Sequence, residues 1–252
     1  MSDYDVAARA WADGPAAVYA RFATAMLEHS PVPLAGAAVL DVGAGTAVAS
    51  DAALAAGASL AVATDVAEQM LRRRTPPTSA VLADAARMPF GDDTFDLVMG
   101  AFCLGHLPDP GAALTEWRRV GPATLATAFV SGPAHPAKTA VDEAAERFGF
   151  VSPPWYEQLK NEREPQVEDP DLLASLASSA GYREVEVTQL TVDAGVRTSA
   201  EIVSWRWGMA HLAPFVDGLP APRRAEARRA AEAAVAGLAP VHVDIQVLSA
   251  AP

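Results

Sequence analysis

Residues 39–47 read Val39-Leu40-Asp41-Val42-Gly43-Ala44-Gly45-Thr46-Ala47, an apolar run that ends in two glycines one residue apart and passes into a segment of helical spacing. A short run rich in Val and Leu fits a strand buried on both faces. Glycine permits a sharp turn and the close approach of a ligand that a side chain would block. The helix that follows begins with free backbone N–H groups. Strand, glycine turn and helix in that order open an α/β unit with a ligand-binding edge.

The same alternation continues along the chain. Apolar runs at 38–42, 60–64, 80–83, 95–101 and 124–130 are predicted strands, and the segments 46–56, 67–74 and 110–120 have helical spacing between them. Such an order requires a parallel sheet with crossover helices on both faces. Asp65 and Asp109 are placed to cap helices, and Asp169-Pro170 opens another that stops at Gly181. Two further strands at 184–192 and 241–248 bring the expected total to seven. Three segments stand outside this pattern: residues 1–36, which read as helical; 131–169, long, Pro-rich and charged; and 198–240, with two helices expected. Long excursions from a sheet are commonly lids or binding elements.

A length of 252 residues without an evident linker reads as one domain, 1–252. With 51% hydrophobic and 20% charged residues, the chain can bury a substantial core. A net charge of −12 disfavours nucleic acid, whose phosphates are held by clustered Lys and Arg. The single cysteine, Cys103, excludes an intrachain disulfide and a Cys-based zinc site, and no metal is expected. No basic start precedes an apolar stretch, and no run of membrane-spanning length occurs. The expectation is a cytoplasmic protein without membrane insertion, a monomer or a homodimer.

Three carboxylates sharpen the reading of the ligand edge. Asp41 ends the first strand, Asp65 the second and Asp84 the third, so all three fall on one carboxyl edge of the sheet. A carboxylate at Asp41 repels a pyrophosphate and suits a cationic group. Asp65, about twenty residues past the turn, is placed to accept both hydroxyls of a ribose. Asp84 is placed to accept from an adenine amino group. A nicotinamide dinucleotide fingerprint would need a third glycine where Val48 stands. An NAD-dependent oxidoreductase is therefore the weaker enzymatic reading.

These blocks, with Ala63-Thr64-Asp65-Val66-Ala67-Glu68-Gln69-Met70-Leu71, Ala83-Asp84-Ala85-Ala86-Arg87-Met88-Pro89-Phe90, Phe95-Asp96-Leu97-Val98 and Leu104-Gly105-His106-Leu107-Pro108-Asp109-Pro110, resemble the class I methyltransferases, and within them the small-molecule enzymes related to ubiquinone and menaquinone biosynthesis. The resemblance spans residues 38–120. It implies a Rossmann-like sheet with an N-terminal helical lid and helical insertions, and S-adenosylmethionine as cofactor. By this resemblance Gly43, Ala44 and Gly45 hold the methionine end, Asp65 the ribose and Asp84 the adenine. Val66, Met70, Ala85 and Met88 form apolar walls, Ala101, Phe102 and His106 at and beyond the end of the fourth strand also line the cofactor, and Tyr4, Trp11 and Tyr19 close over it. Ala47 departs from the pattern, in which glycine is frequent.

The implied acceptor is a small molecule, a secondary metabolite for example, held by Trp155 and Tyr156 of one excursion and by Trp205, Trp207 and His211 of the other. Methyl transfer from a sulfonium requires alignment, with a general base only where the acceptor loses a proton. His106 is the candidate base. At an unperturbed pKa of about 6.5 its neutral form, and with it turnover, would increase as pH rises through that value. A binding protein or a non-methylating enzyme that retains the same cofactor is the alternative from another class.

Overall fold

A computed structural model describes residues 2–252. Seven strands form one sheet: β1 (Ala38–Val42), β2 (Leu60–Asp65), β3 (Ser79–Leu82), β4 (Leu97–Ala101), β5 (Ala123–Phe129), β6 (Glu184–Asp193) and β7 (His242–Ala251). Their order is β3-β2-β1-β4-β5-β7-β6. The first five pair in parallel, while β7 runs antiparallel to both β5 and β6. The chain winds outward in one direction from β1 through β2 and β3, and in the other from β4. That reversal opens a crevice at the carboxyl ends of β1 and β4, where ligands bind in sheets of this kind.

Burial explains which strands the sequence could announce. β1 and β4 are enclosed on both faces and read as continuous apolar runs. The edge strand β6 alternates between exposed and half-buried positions. One face of the sheet, with Val39, Leu97, Met99 and Leu125, packs against α2 (Pro15–Leu27), α3 (Val48–Ala55), α6 (Pro136–Glu146), α9 (Ser199–Trp207) and α11 (Ala221–Ala234). The other face, with Leu40, Val98 and Ala126, packs against α5 (Pro110–Val120) and α8 (Pro170–Ser179). Asp109 caps α5 through Ala112 N–H, and Asp169 caps α8 through Asp171 and Leu172 N–H, as the sequence indicates.

The remaining helices position the site. α1 (Asp3–Asp13) opens with a capping box formed by Ser2 and Asp5. Asp5 Oδ1 also accepts from Gln69 N–H of α4 (Glu68–Leu71) at 2.8 Å, and Ala8 packs with Ala67 and Met70. α1 is thereby fastened across the carboxyl end of β2. The excursion after β5 contributes α6, α7 (Pro154–Gln158), a π-helical turn Leu159–Arg163 and a 3-10 turn Glu164–Gln166. No helix among the described residues is long and apolar enough to cross a membrane.

Three expectations need correction. The segment 67–74 is helical only over Glu68–Leu71, because Arg74 turns back to bond Leu71 O and Thr78 O, and Pro76 and Pro77 disfavour helix before them. The helix expected from residue 46 starts at Val48, since Ala47 adopts a left-handed conformation with φ 66°. The excursion 198–240 holds three helices, with α10 (Ala213–Gly218) between α9 and α11.

Candidate cofactor and acceptor site

The glycine turn after β1 is built for close approach. Gly43 and Gly45 have φ of 66° and 55°, values that L side chains rarely adopt. A Cβ on Gly43 would lie 2.5 Å from Cys103 Sγ, whereas the space beside Gly45 is open. Ala44 N–H donates to Thr64 O at 3.0 Å and Gly45 N–H donates to Asp65 Oδ2 at 2.8 Å, which ties the turn to the end of β2. The other oxygen of Asp65 accepts from Ala67 N–H at 2.8 Å. Each oxygen keeps lone-pair capacity for a hydroxyl. Burial pushes the Asp65 pKa up, and the Ala67 and Gly45 N–H groups oppose that shift.

Asp41 lies beneath the turn and not on its open side. Its carboxylate is fully enclosed; Oδ2 accepts from Ser50 N–H at 2.9 Å and from Ser50 Oγ at 2.7 Å, while Oδ1 has no partner. Burial pushes its pKa up to about 7, against the Ser50 hydrogen bonds. A carboxyl group raised in this way favours the fold in its protonated form, and that contribution is lost as pH rises from the usual carboxylate range through about 7. A cation nearby restores the carboxylate. The Thr46 hydroxyl, in the same turn, is also enclosed without a partner.

Asp84 stands two residues beyond β3, exposed, with Oδ1 accepting from Ala86 N–H at 2.9 Å. Val66, next to Asp65 in the chain, and Leu82, the partner of Asp65 on β3, are each 59% exposed, so two large apolar side chains flank Asp65 at the surface. Ala85 and Met88 turn inward to the α5 side of the core, where Ala85 O accepts from Trp117 Nε1 at 3.2 Å. Met70 is buried under α1. The open side of Gly45, free acceptor capacity at Asp65, flanking apolar groups and the buried acidic group Asp41 beneath the turn fit an adenosine carrying a cationic amino-acid end.

His106 closes a 3-10 turn, Leu104–His106, beyond β4, and its carbonyl accepts from Arg163 Nη1 at 2.9 Å. The Tyr4 hydroxyl lies 3.1 Å from Nδ1 and 3.4 Å from Nε2, with the two rings edge to face. Burial pushes the His106 pKa down to about 4 and the Tyr4 pKa up, so both groups are neutral near pH 7. The expected titration at about 6.5 is corrected accordingly: desolvation removes it from the neutral range.

Aromatic rings extend from this pair. Tyr4 meets Trp11 at 6.5 Å and Trp155 at 5.8 Å between centroids; Trp11 meets Tyr19 at 4.8 Å, Tyr19 meets Phe102 at 5.3 Å, and Phe102 meets Phe129 at 4.5 Å. Phe102 follows the half-buried Ala101 and has a φ of 58°, uncommon for a bulky residue, with its N–H held by Thr127 Oγ1 at 3.0 Å. Trp155 packs edge-on to Tyr156, which stacks on His211 at 3.8 Å and 7°. A cleft of about 400 Å³ opens beside Trp155, His211, Phe150 and Phe215.

The other two tryptophans part company. Trp205 lies under Lys138 Nζ, 5.5 Å from its ring, and Lys138 also sits 4.9 Å from the Phe129 ring. Trp207 lies under Arg228 of α11 and takes no part in the Tyr4–Tyr156 ring cluster. Arg206 between them is 6% exposed, and its Nη2 donates to both oxygens of Asp142, at 3.0 and 2.7 Å. Lys138, Asp142 and Arg163 escape sequence reading because no spacing relates α6 and the π-turn to the sheet edge.

Residues 40–122 match a family model described as a methyltransferase domain. No curated protein matches the chain. Among solved structures, a putative methyltransferase from an antibiotic biosynthesis pathway of Anabaena variabilis is similar over 92% of this chain and 97% of its own, with TM-score 0.65 and 16% identity. Phosphoethanolamine N-methyltransferase 2 of Haemonchus contortus, in complex with S-adenosyl-L-methionine, is similar over 91% and 52%, with TM-score 0.55 and 15% identity. The [4+2]-cyclase SpnF is similar over 92% and 80%, with TM-score 0.54 and 17% identity. At these identities the structures establish the fold, and the family match falls on the glycine turn and the strands whose carboxyl ends form the cofactor edge. Residues 40–122 thus match a methyltransferase-domain family, and the chain as a whole has the fold of S-adenosylmethionine-dependent methyltransferases.

Proposed function

We propose that the protein methylates a small-molecule acceptor, a secondary metabolite in class, in the space roofed by α1, α7 and the start of the α9–α10 segment. The observation that carries this reading is the aromatic enclosure itself. Tyr4, Trp11, Tyr19, Trp155 and Tyr156 come from segments outside the sheet and join ring to ring above its carboxyl edge. A nucleic-acid substrate would need a basic surface for its phosphates, and the chain carries a net charge of −12. Likeness to the Anabaena protein supports the secondary-metabolite class. Excursions and cofactor edge pack on one sheet, which supports reading residues 1–252 as one domain.

Bound S-adenosylmethionine supplies an electrophilic methyl group. Asp65 would accept its ribose hydroxyls and the Gly43–Gly45 turn would hold its amino-acid end, with the buried Asp41 acting on the cationic group through its charge from beneath the turn, and Val66 with Leu82 would flank the base. The aromatic roof excludes water and aligns the acceptor, and alignment contributes roughly 7–11 kcal/mol in favourable cases. For an acceptor that loses a proton, neutral His106, steadied by the Tyr4 hydroxyl, takes it. For an amine that is already neutral, alignment suffices.

Likeness to a [4+2]-cyclase favours a second reading, in which the cofactor fold hosts chemistry other than methyl transfer. Incubation with methyl-labelled S-adenosylmethionine and a metabolite panel separates the two. Label in a product, with calorimetric binding of S-adenosylhomocysteine and none of NAD, is the expected result. Turnover of a panel compound without label transfer would overturn methylation.

A further inference from the structure

The inner corner of the enclosure holds hydrogen-bond donors that the protein leaves unanswered. Lys138 Nζ rests over the rings of Phe129 and Trp205 and has neither an ion pair nor a hydrogen bond among the described residues. Trp205 Nε1 and Arg206 Nε, from the adjoining turn of α9, are enclosed and also lack acceptors. Two enclosed donors without partners, beside a half-buried ammonium that also lacks one, are an arrangement that a ligand carrying acceptors would satisfy.

Charge points the same way. Lys138 feels two other cations, Arg206 and Lys160, and two carboxylates, Asp142 and Glu164. Arg206 is paired with Asp142 and Lys160 with Glu164. Three cations against two carboxylates leave one positive charge, and it resides on Lys138. Burial and the two neighbouring cations push the Lys138 pKa down to about 8, the response of an ammonium that lacks its counter-ion. The corner is continuous with the cofactor edge, because Phe129 packs on Phe102, and Phe102 is followed by Cys103 against the Gly43 turn.

We propose that the acceptor carries a monoanionic carboxylate, which docks on Lys138 and takes up the free donors of Arg206 and Trp205. This rests on the small-molecule reading of the same enclosure and names the chemical class it selects. A carboxylate offers about four lone-pair sites to these three donors and neutralises the single residual charge. A phosphate dianion would leave a net negative charge in an apolar corner. Lys138 on this account is a specificity residue, and the transferred methyl goes elsewhere on the acceptor, towards the cofactor edge.

The test is calorimetric titration of the full chain saturated with S-adenosylhomocysteine. The probes are benzoate, phenylacetate and 4-hydroxybenzoate, their methyl esters, and phenyl phosphate. At least one acid should bind at or below millimolar concentration, at least tenfold more tightly than its ester. Lys138→Met should erase that preference and Lys138→Arg should keep most of it, both variants binding S-adenosylhomocysteine as the parent does. Failure of all three acids to bind, equal binding of acid and ester, tighter binding of phenyl phosphate, or a preference that survives in Lys138→Met overturns the proposal. Carboxylate binding without methyl transfer to any acceptor would leave the docking corner standing and remove the methyltransferase reading. Methyl transfer only to uncharged acceptors would do the reverse.

Discussion

The carboxyl edge that carries the Gly43 turn and the aromatic enclosure beside it are built by different means. At the edge, side chains close in sequence converge: Asp41 and Ser50, Gly45 and Asp65, Asp65 and Ala67 are joined by direct hydrogen bonds within a single β-α-β unit. In the enclosure, Tyr4 meets His106, Tyr156 meets His211, and Asp142 meets Arg206, pairs drawn from remote parts of the chain. The edge is fixed by backbone geometry, the enclosure by the packing of helices from distant parts of the chain. One sheet can therefore keep its cofactor while its acceptor changes.

The largest expected effect tests the join between the two regions. His106→Ala should lower turnover by about 10²-fold or more on an acceptor that ionises, the usual scale for loss of a general base, with cofactor affinity nearly unchanged. Since burial holds the His106 pKa down to about 4, the imidazole is neutral from pH 5 upward and the parent profile should show no histidine inflection near 6.5. Its contribution to stability is present above about pH 6.5 and is lost as pH falls through about 4. Turnover measured from pH 5 to 9 decides the matter. An inflection near 6.5 that disappears in the variant would show an imidazole more hydrated than the Tyr4 contact allows.

A smaller effect should divide the two regions. Asp65→Ala removes the acceptor for ribose hydroxyls and for the Gly45 and Ala67 N–H groups, at about 1–3 kcal/mol for each unmet partner, and should weaken S-adenosylhomocysteine binding tenfold or more. Tyr156→Ala, which removes the stack on His211, should leave that affinity close to the parent value while impairing turnover. Equal losses of cofactor affinity in both variants would mean that edge and enclosure act as one unit.

The smallest effect concerns the turn alone. Ala47 is fully buried in a left-handed conformation that costs an L residue about 1–2 kcal/mol. Ala47→Gly relieves that strain but loses a buried methyl and adds freedom to the unfolded chain, so the unfolding free energy should rise by no more than about 1 kcal/mol. Chemical denaturation measures it. A loss above about 1 kcal/mol would show that packing of the methyl outweighs the backbone strain.

The sequence by itself determined the strand order in the chain, the glycine turn, the caps at Asp109 and Asp169, and the placement of Asp65 at a strand end, because each is written in neighbouring residues or a short spacing. It placed Asp41 correctly on β1, yet only the fold turned that carboxylate inward onto Ser50. It singled out Trp205 and Trp207 together; helical geometry sends one towards Lys138 and the other towards Arg228. Sequence spacing alone did not mark Lys138, Arg206 or Asp142 as parts of one site. Their meeting depends on how α6 and α9 pack over the sheet, and the low dielectric that shifts His106 and Lys138 exists only once those helices have closed around them.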